Sequence, residues 1–418
     1  MLKRVPLVFS LAFLILASGC SVLQPAKPAP ETAKKVQPAP ARTLSQGFYR
    51  CYPETAKKVQ PAPAAPKTVK KKAYKAPALT NPQSWTMVVV PDVQTYTKQM
   101  ENHGILDMML AWIVRRKEEM NIRQVLFTGD LVYYNDVRMV AKKDGVPRNH
   151  RMTDYVGKEQ YKAFSRLMER LDGQVPYVLC TGNHDYGVTS AQNRNTWFNE
   201  FFPTDRNPLT RQQLVGCAPN AFGHASLETS AYEFQAPYPD GRKFLVITLE
   251  FAPTDADLKW AKSIADDPRF ANHFGIVLTH SYIYGNGKRI QKENYVLNKQ
   301  GGNAGEAIFR KLVYPAKNIR LVVCGHVCRP DNWEASVGFS MDKNSSGKSV
   351  AQMAFNTQAI GGGFSGNGGD GWLRLLEFMP DKKTIKATTF SPFFANSPST
   401  RYLAWRTEPR NQFTFELE

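Results

Sequence analysis

The sequence predicts an α/β fold, a four-layer αββα sandwich of two mixed β-sheets flanked by helices. Three observations predict it. From Trp85 onward, short apolar runs of strand length alternate with longer helical stretches. After Val350 strand patterns follow one another without helices, which completes a second sheet. Nothing linker-like beyond the Gly-rich residues 361–371 interrupts residues 85–418, so they read as one domain.

In chain order, strands are expected at residues 85–90, 124–127, 177–180, 244–249, 275–279 and 321–324. Helices are expected at 99–119, 160–171, 255–264 and 304–312, and the closing strands at 351–357, 372–378, 384–389 and 413–417. Residues 207–224 read as a loop that shapes a pocket or decorates the surface.

The N-terminus has a different character. Lys3 and Arg4 precede an apolar run over residues 5–16 and then Ala17-Ser18-Gly19-Cys20, the layout of an export signal. The run is too short to span a bilayer. A cysteine directly after small residues resembles a bacterial lipobox, which implies a lipoprotein-type signal over residues 1–20, cleaved so that Cys20 becomes the acylated N-terminus. Ala17 stands where that pattern more often has leucine. Ser21 rather than Asp beside the lipid site resembles an outer-membrane sorting signal. The expected location is the cell envelope, lipid-anchored to the outer membrane, with secretion as the alternative.

Residues 21–84 are rich in Pro, Ala, Lys, Thr and Gln and read as a disordered linker. They contain Pro-Glu-Thr-Ala-Lys-Lys-Val-Gln-Pro-Ala-Pro-Ala at residues 30–41 and again at 53–64. At ~3.1 Å per residue the fully extended tether reaches about 200 Å. The first 84 residues carry 14 Lys and Arg against two Glu, so +12 of the net +18 lies there and only +6 on the folded part. The high overall charge therefore gives no reason to expect specific nucleic-acid binding by the domain; a basic tether suits anionic envelope surfaces or simply stays solvated. Five cysteines remain after Cys20, namely Cys51, Cys180, Cys217, Cys324 and Cys328, and their spacing fixes no pairing.

Polar residues collect just after several strand candidates: Asp92 and Gln94, Gly129-Asp130, Gly182-Asn183-His184-Asp185, His280, and Gly325-His326. The carboxyl ends of strands in an α/β sheet are where loops converge on ligands. Carboxylate, amide and imidazole donors together suit Mn, Fe or Zn. His103, His150 and His273 lie away from these clusters and read as structural or exposed, whereas Asn135, Glu250 and Tyr282 stand near motif ends.

The ordered set Asp92-x-Gln94, Gly129-Asp130, Gly182-Asn183-His184-Asp185, Thr279-His280 and Gly325-His326 resembles the calcineurin-like metallophosphoesterase signature D-x-H, G-D, G-N-H-D, H and G-H-x-H. The resemblance covers about residues 85–418 and is nearest to an exported bacterial branch. It implies two divalent metal ions and hydrolysis of a phosphomonoester or phosphodiester outside the cytoplasm. Asp130 would bridge the metals, Asp92 and Gln94 would hold the first, and Asn183, His280 and His326 the second. His184 would be the histidine that stabilises the phosphoryl group or protonates the leaving group, with Asp185 orienting it. Cations ~3.5–4 Å apart acidify a shared water and neutralise charge on the phosphoryl oxygens. Two positions depart from the signature. Gln94 replaces a histidine with an amide whose oxygen can ligate. Cys328 stands at the last histidine, where it ligates the first metal, pairs with Cys324, or packs. A catalytically weak metal-binding module that recognises envelope phosphates is the alternative function.

Overall fold

The computed structural model describes residues 73–138 and 153–418, with the ribbon Lys142–Lys143 and Val146–Pro147 given in backbone alone. The expected signal segment, Cys20, Cys51, His150 and most of the linker lie outside the described residues. All described residues belong to one compact unit.

Two seven-stranded sheets make up the domain. The first contains β1 (Trp85–Val90), β2 (Ile122–Phe127) and β3 (Tyr177–Leu179). The second contains β4 (Leu214–Pro219), β5 (Ala225–Gln235), β6 (Lys243–Thr248), β7 (Phe274–Leu278), β8 (Ile319–Cys324), β9 (Val337–Lys343) and β10 (Ser349–Phe355). The chain then returns to the first sheet with β11 (Leu373–Phe378), β12 (Thr384–Phe390), β13 (Trp405–Arg406) and β14 (Phe413–Glu416). The first sheet runs β13-β12-β11-β1-β2-β3, with β14 also on β12, and the second runs β9-β10-β8-β7-β6-β5-β4.

β1, β2 and β3 are parallel, as are β6, β7, β8 and β10, while the flanking strands are antiparallel. Parallel strands need covered faces, and both faces are covered. Between the sheets lie Trp85, Met87 and Val89 of β1 against Phe244, Val246, Ile276 and Val323. Trp85 stacks on Phe378 at 4.3 Å, meets Phe244 edge-on at 5.0 Å, and donates its indole N–H to Asp240 at 2.8 Å. On the outer side of the first sheet, α1 (Met100–Arg116) and α2 (Gly157–Met168) bury Leu106, Leu110, Phe164 and Met168 against Val88 and Phe127. On the outer side of the second, α3 (Asp255–Ala265) and residues 305–316 pack Leu258, Ile308 and Leu312 against Ile247 and Val322. The four-layer expectation is met.

Residues 207–224 are not a loop. They hold the short helix Pro208–Gln213 and β4, which pairs with β5 at the edge of the second sheet. Residues 73–84 lie along the domain. Tyr74 and Leu79 pack on the first sheet's outer core, and Thr80 and Ser84 donate to the carboxylate of Glu377. Among the described residues, no helix is long and apolar enough to cross a membrane.

Candidate metal centre

The parallel strands of both sheets end at one edge, and each delivers part of the site. From the first sheet, Asp92 follows β1, Gln94 opens the one-turn helix Gln94–Thr97, Asp130 follows β2, and the turn Asn183–Asp185 follows β3. From the second, His280 follows β7, and His326 and Cys328 follow β8. Sharp reversals put the side chains on target: Asp130 and His326 take φ of 52° and 67°. Such left-handed residues cost about 1–3 kcal/mol each and persist where their surroundings hold them. Two glycines let backbone meet carboxylate. A Cβ on Gly182 would fall 2.1 Å from Asp130 Oδ1, and one on Gly325 would fall 1.9 Å from Asp92 Oδ1.

Ligand atoms of Asp92, Asp130 and His280 lie within 4.8 Å of one another, and all three residues are buried. Charges out of water must be paired. Burial pushes the Asp92 carboxyl up to about 7, against the pull of His280. Burial also acts to raise Asp130, but His280 and His184 overcome it and hold that carboxyl below its usual range. The His280 imidazole, which burial alone would depress, is raised to about 10 by Asp130 and Asp92.

Hydrogen bonds decide which side of each ring carries a proton. His280 Nδ1 lies 2.8 Å from the carbonyl oxygen of Thr128, which can only accept, so Nδ1–H donates there. Its Nε2 faces Asn183 Oδ1 at 3.1 Å, His326 Nδ1 at 3.1 Å and Asp130 Oδ1 at 3.3 Å. Asn183 presents its oxygen because its Nδ2 donates to Ser190 Oγ at 2.9 Å. His326 Nε2 faces Glu293 Oε1 at 3.3 Å, which favours the proton on that nitrogen and leaves Nδ1 a lone pair. Four acceptor groups thus converge, and in the metal-free chain the proton that Asp130 and Asp92 hold on His280 sits among them. A proton on His280 or a divalent cation satisfies them, and this donor set fits Mn, Fe or Zn.

The position expected for a first metal is built differently. Asp92 Oδ1 accepts from Thr128 Oγ1 at 2.7 Å, and Oδ2 accepts from the His326 amide at 3.0 Å and Asn356 Nδ2 at 2.7 Å. Gln94 donates Nε2 to Asp130 Oδ2 at 2.7 Å, leaving its buried Oε1 without a partner, an oxygen that a cation would satisfy. Cys328 lines a cavity over these groups, where burial, with Asp92 and Asp130, pushes its thiol well up and keeps it neutral in the metal-free chain. Cys180, Cys217, Cys324 and Cys328 are all free, so Cys328 is not paired with Cys324.

His184 donates Nδ1–H to the carbonyl of Tyr133 at 2.7 Å and stacks on the Tyr133 ring at 5.2 Å. The expectation that Asp185 orients His184 is corrected here. The Asp185 carboxylate turns inward and accepts from the backbone N–H of Gly182 at 2.7 Å and Leu131 at 3.0 Å and from the Tyr161 hydroxyl at 3.0 Å. It ties the Asn183 turn to the segment after Asp130, and the Tyr133 carbonyl holds the histidine.

A cavity of about 570 Å³ opens over these groups, with Gln94, Asp130, Asn183, His184, His326 and Cys328 on its floor and Tyr133, Tyr134, Tyr295 and Phe364 on its walls. Sequence reasoning missed Glu293, Ser190 and the aromatic walls, which sit in loops without a motif. Asn135, Glu250 and Tyr282 do not line the cavity. Asn135 clamps the backbone of Gly187 and Trp197, Glu250 pairs with Arg194 at 2.6 Å, and Tyr282 is buried beneath the second sheet. His103 stacks on Tyr155 and His273 pairs with Glu233, both away from the site.

Among known proteins, the chain is 26% identical over 313 residues to the uncharacterized protein YvnB of Bacillus subtilis (strain 168), matching 74% of this chain and 20% of that one. It therefore spans about a fifth of that relative's length. A dimetal phosphatase from Danio rerio superposes with 11% identity over 81% of this chain and 100% of the other, at a TM-score of 0.43. PhoD superposes with 13% identity over 82% of this chain and 72% of the other, at 0.39. The family model for calcineurin-like phosphoesterases matches residues 86–330, the stretch that carries the strand ends bearing Asp92, Gln94, Asp130, Asn183, His280, His326 and Cys328, and the chain belongs to that family.

Proposed function

We propose that this chain hydrolyses a phosphomonoester or phosphodiester outside the cytoplasm with two divalent cations held at unequal strength, and that a lipid on Cys20 tethers it to the cell envelope. One observation carries the hydrolytic reading: acceptors of Asp130, Asn183, His280 and His326 converge on the floor of an open cavity, beside a His184 ring that takes no part in the convergence. Bound cations would supply positive charge to the phosphoryl oxygens and acidify the attacking water.

The chain's own residues supply the rest. Asp130 offers one oxygen to the His280 side and the other to the Gln94 side, which suits a shared carboxylate. His184 has committed Nδ1–H to Tyr133, so Nε2 serves the cavity and, when protonated, donates to the departing oxygen. Tyr133, Tyr134 and Tyr295 seat the organic part of the ester. The unequal affinity follows from Gln94, whose amide must turn away from Asp130 before its oxygen can ligate. That same contact favours the alternative, a phosphate-recognising module without turnover.

The purified full chain loaded with Mn²⁺ should cleave an aryl phosphate or a bis-aryl phosphate, and metal titration should resolve a tight and a weak class of site. Asp130→Asn should abolish turnover while circular dichroism and the unfolding midpoint stay close to wild type. Phosphate binding without turnover in the loaded wild-type chain would establish the recognition module instead. Full turnover in folded Asp130→Asn would remove the shared carboxylate from the mechanism.

A further inference from the structure

The segment after β7 leaves the site and comes back to it. His280 is followed by Ser281, the chain passes through the isolated bridge between Ile283 and Arg289, and it returns with Glu293 against the His326 ring and Tyr295 lining the cavity. Glu293 is largely buried and carries a carboxylate that meets two partners on one oxygen. Ser281 Oγ donates to Oε1, and His326 Nε2 lies 3.3 Å from the same atom. The other side of the His326 ring, Nδ1, faces His280 Nε2 at 3.1 Å, at the point where the four acceptors meet.

We infer that Glu293 is a positioning residue that holds the proton of His326 on Nε2, fixes the ring, and so presents Nδ1 as a metal ligand. A neutral imidazole has one donor and one acceptor nitrogen, and the wrong tautomer would aim an N–H at the cation. A carboxylate behind a ligating imidazole sets the tautomer and raises the basicity of the ligating nitrogen. Ser281 holds the carboxylate in turn, so the residue next to one histidine ligand steers the other. Asn183 is treated the same way by Ser190, and His280 by the Thr128 carbonyl, so each amide or imidazole ligand of this position has a partner that turns its lone pair inward. Tyr295, two residues beyond Glu293, has its ring 5.9 Å from the His326 ring, so the same return of the chain builds a cavity wall.

The inference rests on the metal-binding reading proposed above, and the test separates the two. The metal-free full chain is titrated with Zn²⁺ and with Mn²⁺ by calorimetry, and the ¹⁵N shifts of the His326 ring report its tautomer. Glu293→Ala should weaken the tight site about 10–100-fold and move the proton population from Nε2 toward Nδ1. Glu293→Gln should lie between, because its amide oxygen still accepts from Nε2–H without the charge. Wild-type affinity and wild-type tautomer in Glu293→Ala overturn the inference. Should Glu293→Ala not fold, Glu293→Gln and Ser281→Ala decide it: unchanged affinity and tautomer in both overturn it, and a weakened site with a shifted tautomer in either supports it. His326→Ala is the control. If it binds metal as wild type does, the metal-binding reading fails; if it loses metal while Glu293→Ala keeps it, only the role of Glu293 fails.

Discussion

A histidine that moves protons differs from one that holds metal in what its two nitrogens meet. His184 gives Nδ1–H to a carbonyl and keeps Nε2 for the cavity, apart from the acceptors gathered around His280. His184→Ala should therefore leave metal content unchanged and lower kcat about 10²–10⁴-fold, most steeply for esters with poor leaving groups. Metal analysis alongside kinetics on an aryl-phosphate series checks this, and a variant that arrives without metal contradicts the role. At this scale the sequence was informative where a polar residue directly follows a strand, as with Asp92, Asp130 and His280. Glu293 was silent because its meaning lies in a contact with His326 that no spacing encodes. Asp185 misled because chain adjacency to His184 says nothing about direction, and its carboxylate serves backbone N–H groups instead.

Strand ends, rather than strands, set the spacing of the site. Gly325 lies where the turn after β8 crosses Asp92, and any Cβ there meets Asp92 Oδ1 at 1.9 Å and Thr128 Oγ1 at 2.6 Å. Gly325→Ala should cost about 1–3 kcal/mol of stability through overpacking and displace the Asp92 carboxylate. Chemical denaturation and metal titration together test it: a wild-type midpoint with wild-type occupancy would show that the turn can give way. The central parallel strands were legible because burial on both faces leaves continuous apolar runs such as Met87-Val88-Val89-Val90. β4 and β5 were not, since Gly216 and Pro219 interrupt β4, as its edge position permits, and polar residues such as Glu228, Ser230 and Glu233 break up the apolar run of β5. The expected helix at 304–312 holds as a single α-turn, Gly305–Ile308, and then widens into the π-turn Phe309–Val313.

Composition put the end of the expected tether at residue 84, because a Pro, Ala and Lys repeat has nothing to bury. Its last residues were beyond that reasoning: Thr80 and Ser84 belong with the domain through Glu377, nearly 300 positions away in sequence. If the tether carries a lipid, Cys20→Ser should move the chain out of the salt-washed membrane fraction and leave turnover per folded molecule unchanged. Retention in that fraction would refute the anchor. The site itself is divided, with Asp92, Asp130 and Asn183 hanging from the first sheet and His280 and His326 from the second. A cation grasped from both sides is therefore a rivet through the sandwich, and it resists any motion that parts the two layers. Its hold grows with supply, by about 2.7 kcal/mol at a free concentration one hundred times its dissociation constant. A chain starved of metal is then easier to prise open, so the same shortage that would stop the proposed hydrolysis also exposes the chain to proteolysis.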